Sequence, residues 1–215
     1  HPGALPEVTP GPISRDLQRR DYTINAIAVQ VSPQPPRLLD PLGGLDDLRN
    51  RQLRLLHPLS FLEDATRVLR GARLAARLGF QFDRDTRDQA RRALTPRLLD
   101  RISPSRLRNE LELALDEPRL EPVFAQLESV GALSAVFSLE HAPELLSALD
   151  GQKLSGSVRA EAALFALLLE TPADRAEAHL SRFSWPASYR QALERLHMVR
   201  HDPELLTEDV LTRMT

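Results

Sequence analysis

From Ser60 onward the chain is a run of helix-period apolar patterns, cut at short intervals by Pro, Gly and capping residues. That punctuation constrains the fold more than any other feature. Short amphipathic segments with short connections bury their apolar faces only against one another. The first segment begins where Ser60 and Glu63 have the spacing of a capping box and ends at Gly79, placed as a C′ residue. A second fits Asp85 to Leu94, and a third runs from an N-cap at Ser103, with Pro104 at N1, to about Leu115. Further helices fit Pro122 to Val130, Pro143 to Leu149, Ser157 to Glu170, Asp174 to Phe183 and Ala187 to Arg200.

Upstream of Ser60 the pattern changes. Residues 1–14 read as a proline-rich loop. Thr23 to Val31 is rich in β-branched residues and SPQPP then forces a turn before RLLD, which predicts a β-hairpin. The segment PLGGLDDLRNRQLRLLH predicts a glycine turn, a short helix from about Leu45 and a short strand near Leu53 to Leu56. The predicted fold class is mainly α: the end of an α/β sheet domain, then an all-helical region. The chain opens on HPGALPEVTPGP and closes on LTEDVLTRMT without a stop signal, so the expectation is an internal piece of a longer polypeptide.

Composition narrows the class. With 215 residues the chain is long enough for a sizeable core, and no apolar run approaches the roughly 20 residues needed to span a bilayer. The absence of cysteine excludes disulfides and thiolate metal sites and fits a cytoplasmic location. A net charge of -2 argues against a strongly basic nucleic-acid binder. Lys153 is the only lysine, so arginine supplies the remaining basic residues, as codon bias or phosphate recognition would both require.

The stretch FLEDATRVLRGARLAARLGF, residues 61–80, carries more than a core face. Read as one helix, it places Phe61, Leu62, Ala65, Val68, Leu69, Ala72, Ala75 and Ala76 on an arc about 140° wide. On one flank lie Asp64, Gly71, Leu78, Arg67 and Leu74, with Arg70 beyond. Gly71 costs roughly 1 kcal/mol relative to alanine inside a helix, so something needs its missing side chain. The bland reading is an amphipathic helix with an incidental Asp64–Arg67 pair and a neighbouring helix over the leucines. The alternative is a covered cleft in which an acceptor carboxylate and a donor guanidinium read a planar edge. Cytosine and adenine offer an amine beside a ring-nitrogen acceptor, whereas uracil and guanine present the reverse order. Each mispaired buried group costs about 1–3 kcal/mol, enough to discriminate.

A second cluster lies upstream in DLQRRDYTINAIA, where Arg19, Arg20 and Asp21 combine phosphate donors with an acceptor for a ribose hydroxyl. Taken in order, RRDYTINA (19–26), DPLGGLDDL (40–48), EDATRVLRGAR running into Gly79-Phe80, and ISPSRLRNEL (102–111) resemble the class II tRNA nucleotidyltransferases and the related bacterial poly(A) polymerases. The match is strong from residue 12 to about 115; beyond that only a helical body is shared.

The resemblance implies a nucleotidyltransferase head over 1–58, a helical neck with the nucleotide-recognition helix over 59–116 and a helical body over 117–215. It implies that Arg20 and Asp21 engage the triphosphate and ribose, and that Asp64 and Arg67 template the base. Arg70 and Arg73 would hold phosphates or brace the pocket, Arg19 and Asn25 would support it, and Glu63 would be an orienting or capping group. The implied activity is addition of C, A or both to the 3′ end of tRNA from CTP and ATP with magnesium. Poly(A) polymerase and a non-catalytic helical RNA-binding module are the alternatives.

Family members also carry a GG-x-V-R-D phosphate loop and a D-x-D metal pair on an N-terminal sheet, and no such sheet segment occurs here. Neighbouring Asp46 and Asp47 do not substitute, because adjacent side chains do not face one site. Metal ligands and catalytic carboxylates are therefore expected in none of this chain's residues, but in an upstream polypeptide. Tyr22, Leu74 and Ser105 replace residues usual in the family. Outside these motifs, His197, His201 and Asp202 read as a polar helix end, Trp185 as a packed turn, and Arg91, Arg92, Arg101, Arg106 and Arg108 as solvated faces or a track for an RNA backbone.

Overall fold

The computed structural model describes residues 11–150, 152 and 156–201. Most of the proline-rich opening, Lys153, Asp202 and the LTEDVLTRMT end lie outside the described residues. A short helix, α1 (Ile13–Leu17), leads into a 3-10 turn at Thr23–Ala26 and an antiparallel hairpin of β1 (Ala28–Gln30) and β2 (Arg37–Leu39). The register pairs Ala28 with Leu39 and Gln30 with Arg37, so the hairpin forms as predicted, though only the second half of TINAIAVQV is strand. The first half curls because the Asn25 N–H donates to the Tyr22 carbonyl and the Asn25 amide donates to Asp21, local bonds that compete with extended pairing.

Next, α2 (Gly44–Arg49) starts where Asp40 accepts from the Gly44 and Leu45 N–H groups at 2.7 and 2.9 Å. Strand β3 (Gln52–Leu53) pairs in parallel with β4 (Gln81–Phe82), bracketing the FLEDATRVLRGARLAARLGF stretch. That segment is two helices, α3 (Ser60–Glu63) and α4 (Thr66–Leu78), and not the single helix its periodicity predicts. Beyond them follow α5 (Arg84–Ala93), α6 (Pro96–Leu99), α7 (Pro104–Leu115), α8 (Leu120–Ser129), α9 (Ala132–Phe137), α10 (Glu144–Leu149), α11 (Gly156–Glu170), α12 (Ala173–Arg182) and α13 (Ala187–His201). The other predicted helices are recovered within a few residues; α1, which begins inside the predicted 1–14 loop, and α6 and α9 are additional and too short for periodicity to reveal.

The array closes around α4. Val68, Leu69, Ala72 and Ala75 are buried, and the small alanine side chains let α7 and α8 pack closely against this helix. Each fully buried Val or Leu contributes about 1.5–3 kcal/mol, so α4 is held chiefly by this face. Gly79, at φ 67°, takes the left-handed conformation that ends the helix, as its C′ position requires. One apolar cluster runs from Tyr22 through α4, α7 and α8 to Leu193 of α13. No helix of the described residues is long and apolar enough to cross a membrane.

Candidate nucleotide-reading site

The break between α3 and α4 falls on Asp64, whose backbone is extended at φ -153° and ψ 95°. Its Oδ1 accepts from the Thr66 N–H at 3.1 Å and the Thr66 hydroxyl at 2.6 Å, a local bond that ends α3 and starts α4. The expected Ser60–Glu63 capping box does not form. Instead Ser60 is spent on Arg67, whose Nη1 donates to the Ser60 hydroxyl and, at 3.3 Å, to its carbonyl. Because the helix breaks, Leu62 leaves the predicted core arc and is exposed. The Arg67 N–H donates to the Asp64 carbonyl at 3.2 Å, so the two residues share one turn. The Asp64 carboxylate pairs with Arg106 and not with Arg67, whose acidic neighbour is Glu63 at 3.7 Å.

Arg106 of α7 donates from Nη2 to Asp64 Oδ2 at 2.6 Å. Burial pushes the Asp64 carboxyl upward, but the bonds from Thr66 and Arg106 and the Arg106 charge outweigh it, leaving the group below its ordinary range. Asp64 opens onto a cavity of about 370 Å³ lined by Leu62, Glu63, Leu98, Arg101, Ile102 and Arg106, among others. Among the described residues, Arg67 Nε and Nη2 have no hydrogen-bond partner.

Gly71 has a specific cause. A Cβ there would lie 1.9 Å from the Tyr22 hydroxyl, 2.7 Å from Tyr22 Cζ and 3.0 Å from Phe82 Cε1. Tyr22 therefore fills the space that the sequence left open beside Asp64 and Arg67. Its hydroxyl donates to the Arg67 carbonyl at 2.7 Å, a bond that phenylalanine cannot make. Leu74 is partly covered by the core, whereas Leu78 is exposed.

Tyr22 also ties this helix to the RRD segment, because its N–H donates to Asp21 Oδ1 at 2.9 Å. Asn25 donates to the same oxygen at 2.9 Å, and Arg70 Nη1 reaches Asp21 Oδ2 at 3.4 Å. A ladder of alternating charge continues from there. Arg70 Nη2 donates to Glu110 Oε1 at 3.2 Å, and Arg73 lies 3.5 Å from Glu110 Oε2 without hydrogen-bond geometry. Glu117 then sits between Arg73, at 3.9 Å, and Arg77, which donates to it. Burial lowers the Arg70 guanidinium, but Glu110 and Asp21 outweigh it and hold the charge more firmly than in water. Asp21, Glu110 and Glu117 are all nearly buried, so the ladder seats carboxylates that keep little contact with water.

The remaining predicted residues lie further out. Arg19 is exposed, and Arg20 pairs with Asp16 at 3.0 Å on the surface, leaving it accessible to a ligand. Sequence reasoning missed Glu110, Glu117, Arg77 and the Arg106–Asp64 pair. The usable signal was spacing: Arg70, Arg73 and Arg77 recur at i, i+3 and i+7 against Glu110 and Glu117 at i and i+7. Several arginines read as an RNA track are committed elsewhere. Arg91 donates to the Ser129 carbonyl, Arg106 to Asp64, and Arg108 to Glu112 and the Ser184 carbonyl while covering Trp185. Trp185 itself stacks on Tyr189 in the turn before α13.

The carboxylates of the described residues do not fit a metal centre. Among the described residues no group of three or more His, Asp or Glu is placed to hold an ion. Asp47 is buried against Thr23 and Arg54, Asp46 pairs with Arg49 on the surface, and Asp83, two residues before Asp85, caps α5.

A family model described as the poly A polymerase head domain matches residues 6–54, and one described as the probable RNA and SrmB-binding site of polymerase A matches residues 79–149. The A-adding tRNA nucleotidyltransferase of Aquifex aeolicus is 45% identical over 119 residues, 55% of this chain. The CC-adding tRNA nucleotidyltransferase of Deinococcus radiodurans is 42% identical over 157 residues, 73% of this chain. The chain belongs to the tRNA nucleotidyltransferase and poly(A) polymerase family. A solved structure of a tRNA-processing enzyme with CTP superposes with a TM-score of 0.72 at 29% identity, covering 89% of this chain and 56% of that one. The family and the mainly helical fold class thus agree with the motif reading. The aligned stretch is 14% of the Aquifex protein and 40% of the Deinococcus protein, so the chain spans well under two thirds of these relatives.

Proposed function

We propose that this chain is the nucleotide-reading part of a template-independent nucleotidyltransferase that adds C, A or both to the 3′ end of tRNA. The observation that carries this reading is the Asp64–Arg67 turn. It joins in one backbone turn a carboxylate held by Thr66 and Arg106 and a guanidinium held by Ser60 whose Nε and Nη2 have no hydrogen-bond partner among the described residues, and the Tyr22 hydroxyl on the Arg67 carbonyl links that turn to the Asp21 cluster. Asp64 accepts the exocyclic amine of cytosine or adenine, and Arg67 donates to the adjacent ring nitrogen. Arg20 and Asp21, supported by Arg19 and Asn25, meet the triphosphate and ribose. Arg70 and Arg73 brace that group through Glu110, and Glu63 orients Arg67. The printed names of the relatives, A-adding and CC-adding, favour CTP and ATP as substrates. The same reading divides the chain into head (1–58), neck (59–116) and body (117–215). It places the activity in the cytoplasm and assigns the magnesium-holding carboxylates to polypeptide outside these residues.

Poly(A) addition is the second reading, favoured by the head-domain match. Nucleotide incorporation by the full-length protein separates the two. Transfer RNA ending at the discriminator base, in C or in CC is offered with each nucleoside triphosphate singly. Incorporation of C or A on a matching tRNA end supports the proposal, and preference for an unrelated oligonucleotide overturns it.

A further inference from the structure

The Asp64 carboxylate has an unusual set of partners for a base-reading group. Oδ1 accepts two bonds from Thr66, and Oδ2 accepts one from Arg106. A carboxylate offers about four lone-pair sites, so one site on Oδ2 remains for a ligand. Those three bonds fix the side-chain torsion, and all three come from donors, which only the ionised carboxylate accepts in full. The charged groups that line the cavity with Asp64 come from three directions: Glu63 from α3, Arg101 from the turn between α6 and α7, and Arg106 from α7, while the Arg67 guanidinium is turned to Ser60. Of these, only Arg106 donates to the carboxylate.

We infer that Arg106 is a positioning residue for base choice, holding Asp64 as a fixed, charged acceptor so that the site takes an amino edge and refuses a carbonyl edge. The inference rests on the base-reading role proposed for Asp64. The physical consequence concerns protonation. A neutral Asp64 carries an O–H, which donates to the O4 carbonyl of uracil or the O6 carbonyl of guanine. The amino–carbonyl distinction at that position then disappears. Burial alone favours the neutral form, and Arg106 opposes it. Without Arg106, discrimination therefore becomes pH-dependent in a range where the wild type is insensitive. Arg67 still disfavours the ring N–H of uracil, so selectivity falls without vanishing.

The test measures kcat/KM for CTP or ATP relative to UTP in the full-length protein from about pH 8.5 down to about pH 5.5. The wild-type ratio is expected to stay flat. Arg106→Met is expected to lose about tenfold of the ratio as pH falls, the scale of one mispaired buried group. Arg106→Lys should restore most of the flat profile. Thr66→Val removes another donor to Asp64 with little change of volume, and should shift in the same direction by less. It keeps the test available if Arg106→Met does not fold. A pH-independent ratio in the Arg106→Met and Thr66→Val proteins, whether wild-type or collapsed, overturns the inference. Asp64→Asn isolates the underlying role: unchanged nucleotide choice there removes the base-reading proposal itself, whereas altered choice combined with flat Arg106 profiles removes only the role of Arg106.

Discussion

Gly71→Ala is the substitution whose sign the tertiary structure reverses. In an exposed helix, alanine is favoured over glycine by roughly 1 kcal/mol. Here the added Cβ would lie 1.9 Å from the Tyr22 hydroxyl and 2.7 Å from Cζ, distances no packed side chain tolerates. Tyr22 is fully buried, so it has no solvent to move into. Overpacking of this kind costs about 1–3 kcal/mol. Displacing the ring also lengthens the bond from its hydroxyl to the Arg67 carbonyl, a further loss of about 1 kcal/mol. Less the helix-propensity gain, the net expectation is a destabilisation of about 1–3 kcal/mol. Urea unfolding of the full-length protein followed by circular dichroism measures it, with the Tyr22→Ala background as control. With the ring removed, the added methyl enters a void, and Gly71→Ala should become stabilising by roughly 1 kcal/mol. A nucleotide KM that rises in the single variant would follow from Tyr22, whose N–H holds Asp21. A Gly71→Ala protein more stable than wild type, or no change of sign between backgrounds, would refute the packing argument.

Other outcomes test separate parts of the molecule. Glu110→Gln leaves Arg70 and Arg73 without their shared carboxylate and should cost about 2–3 kcal/mol in the same unfolding assay, with a weakened response to nucleotide because Arg70 also meets Asp21. Asp64→Ala should erode the preference for CTP and ATP over UTP by about tenfold in single-nucleotide incorporation; an unchanged preference would end its role. His179 lies stacked on Phe137 and edge-on to Phe183, with both ring nitrogens unpartnered among the described residues, and burial pushes it down to about 3. The unfolded chain therefore takes up a proton near pH 6.5 that the folded one refuses until about pH 3. Stability should be fully present above about pH 6.5 and fall by about 1.4 kcal/mol per unit below it. His179→Leu should flatten that slope, as read by thermal unfolding across pH; an unaltered slope would place the acid sensitivity elsewhere.

Local chemistry made much of this protein legible. Helix ends marked by Pro104 and Gly79 fix their elements through torsions belonging to a few adjacent residues, and periodicity supplied the rest of the helical body. The motifs were legible as an ordered set that resembles a known family, and family models match the chain over residues 6–54 and 79–149. What the sequence could not show was competition between partners. Ser60 had two possible roles, helix cap or acceptor for Arg67, and only the packed structure chose the second. Asp64 and Arg67 looked like a pair, yet Arg106, 42 residues on, takes the carboxylate. Gly71 announced a missing side chain without saying whether a base or a protein ring would fill the space, and Tyr22 fills it. The sequence by itself determined where helices run and which chemical groups lie on each segment, because those follow from neighbouring torsions and spacing. Only the tertiary structure decided which charges meet, because burial in a close-packed interior leaves each donor and acceptor few partners and lets distant residues claim them.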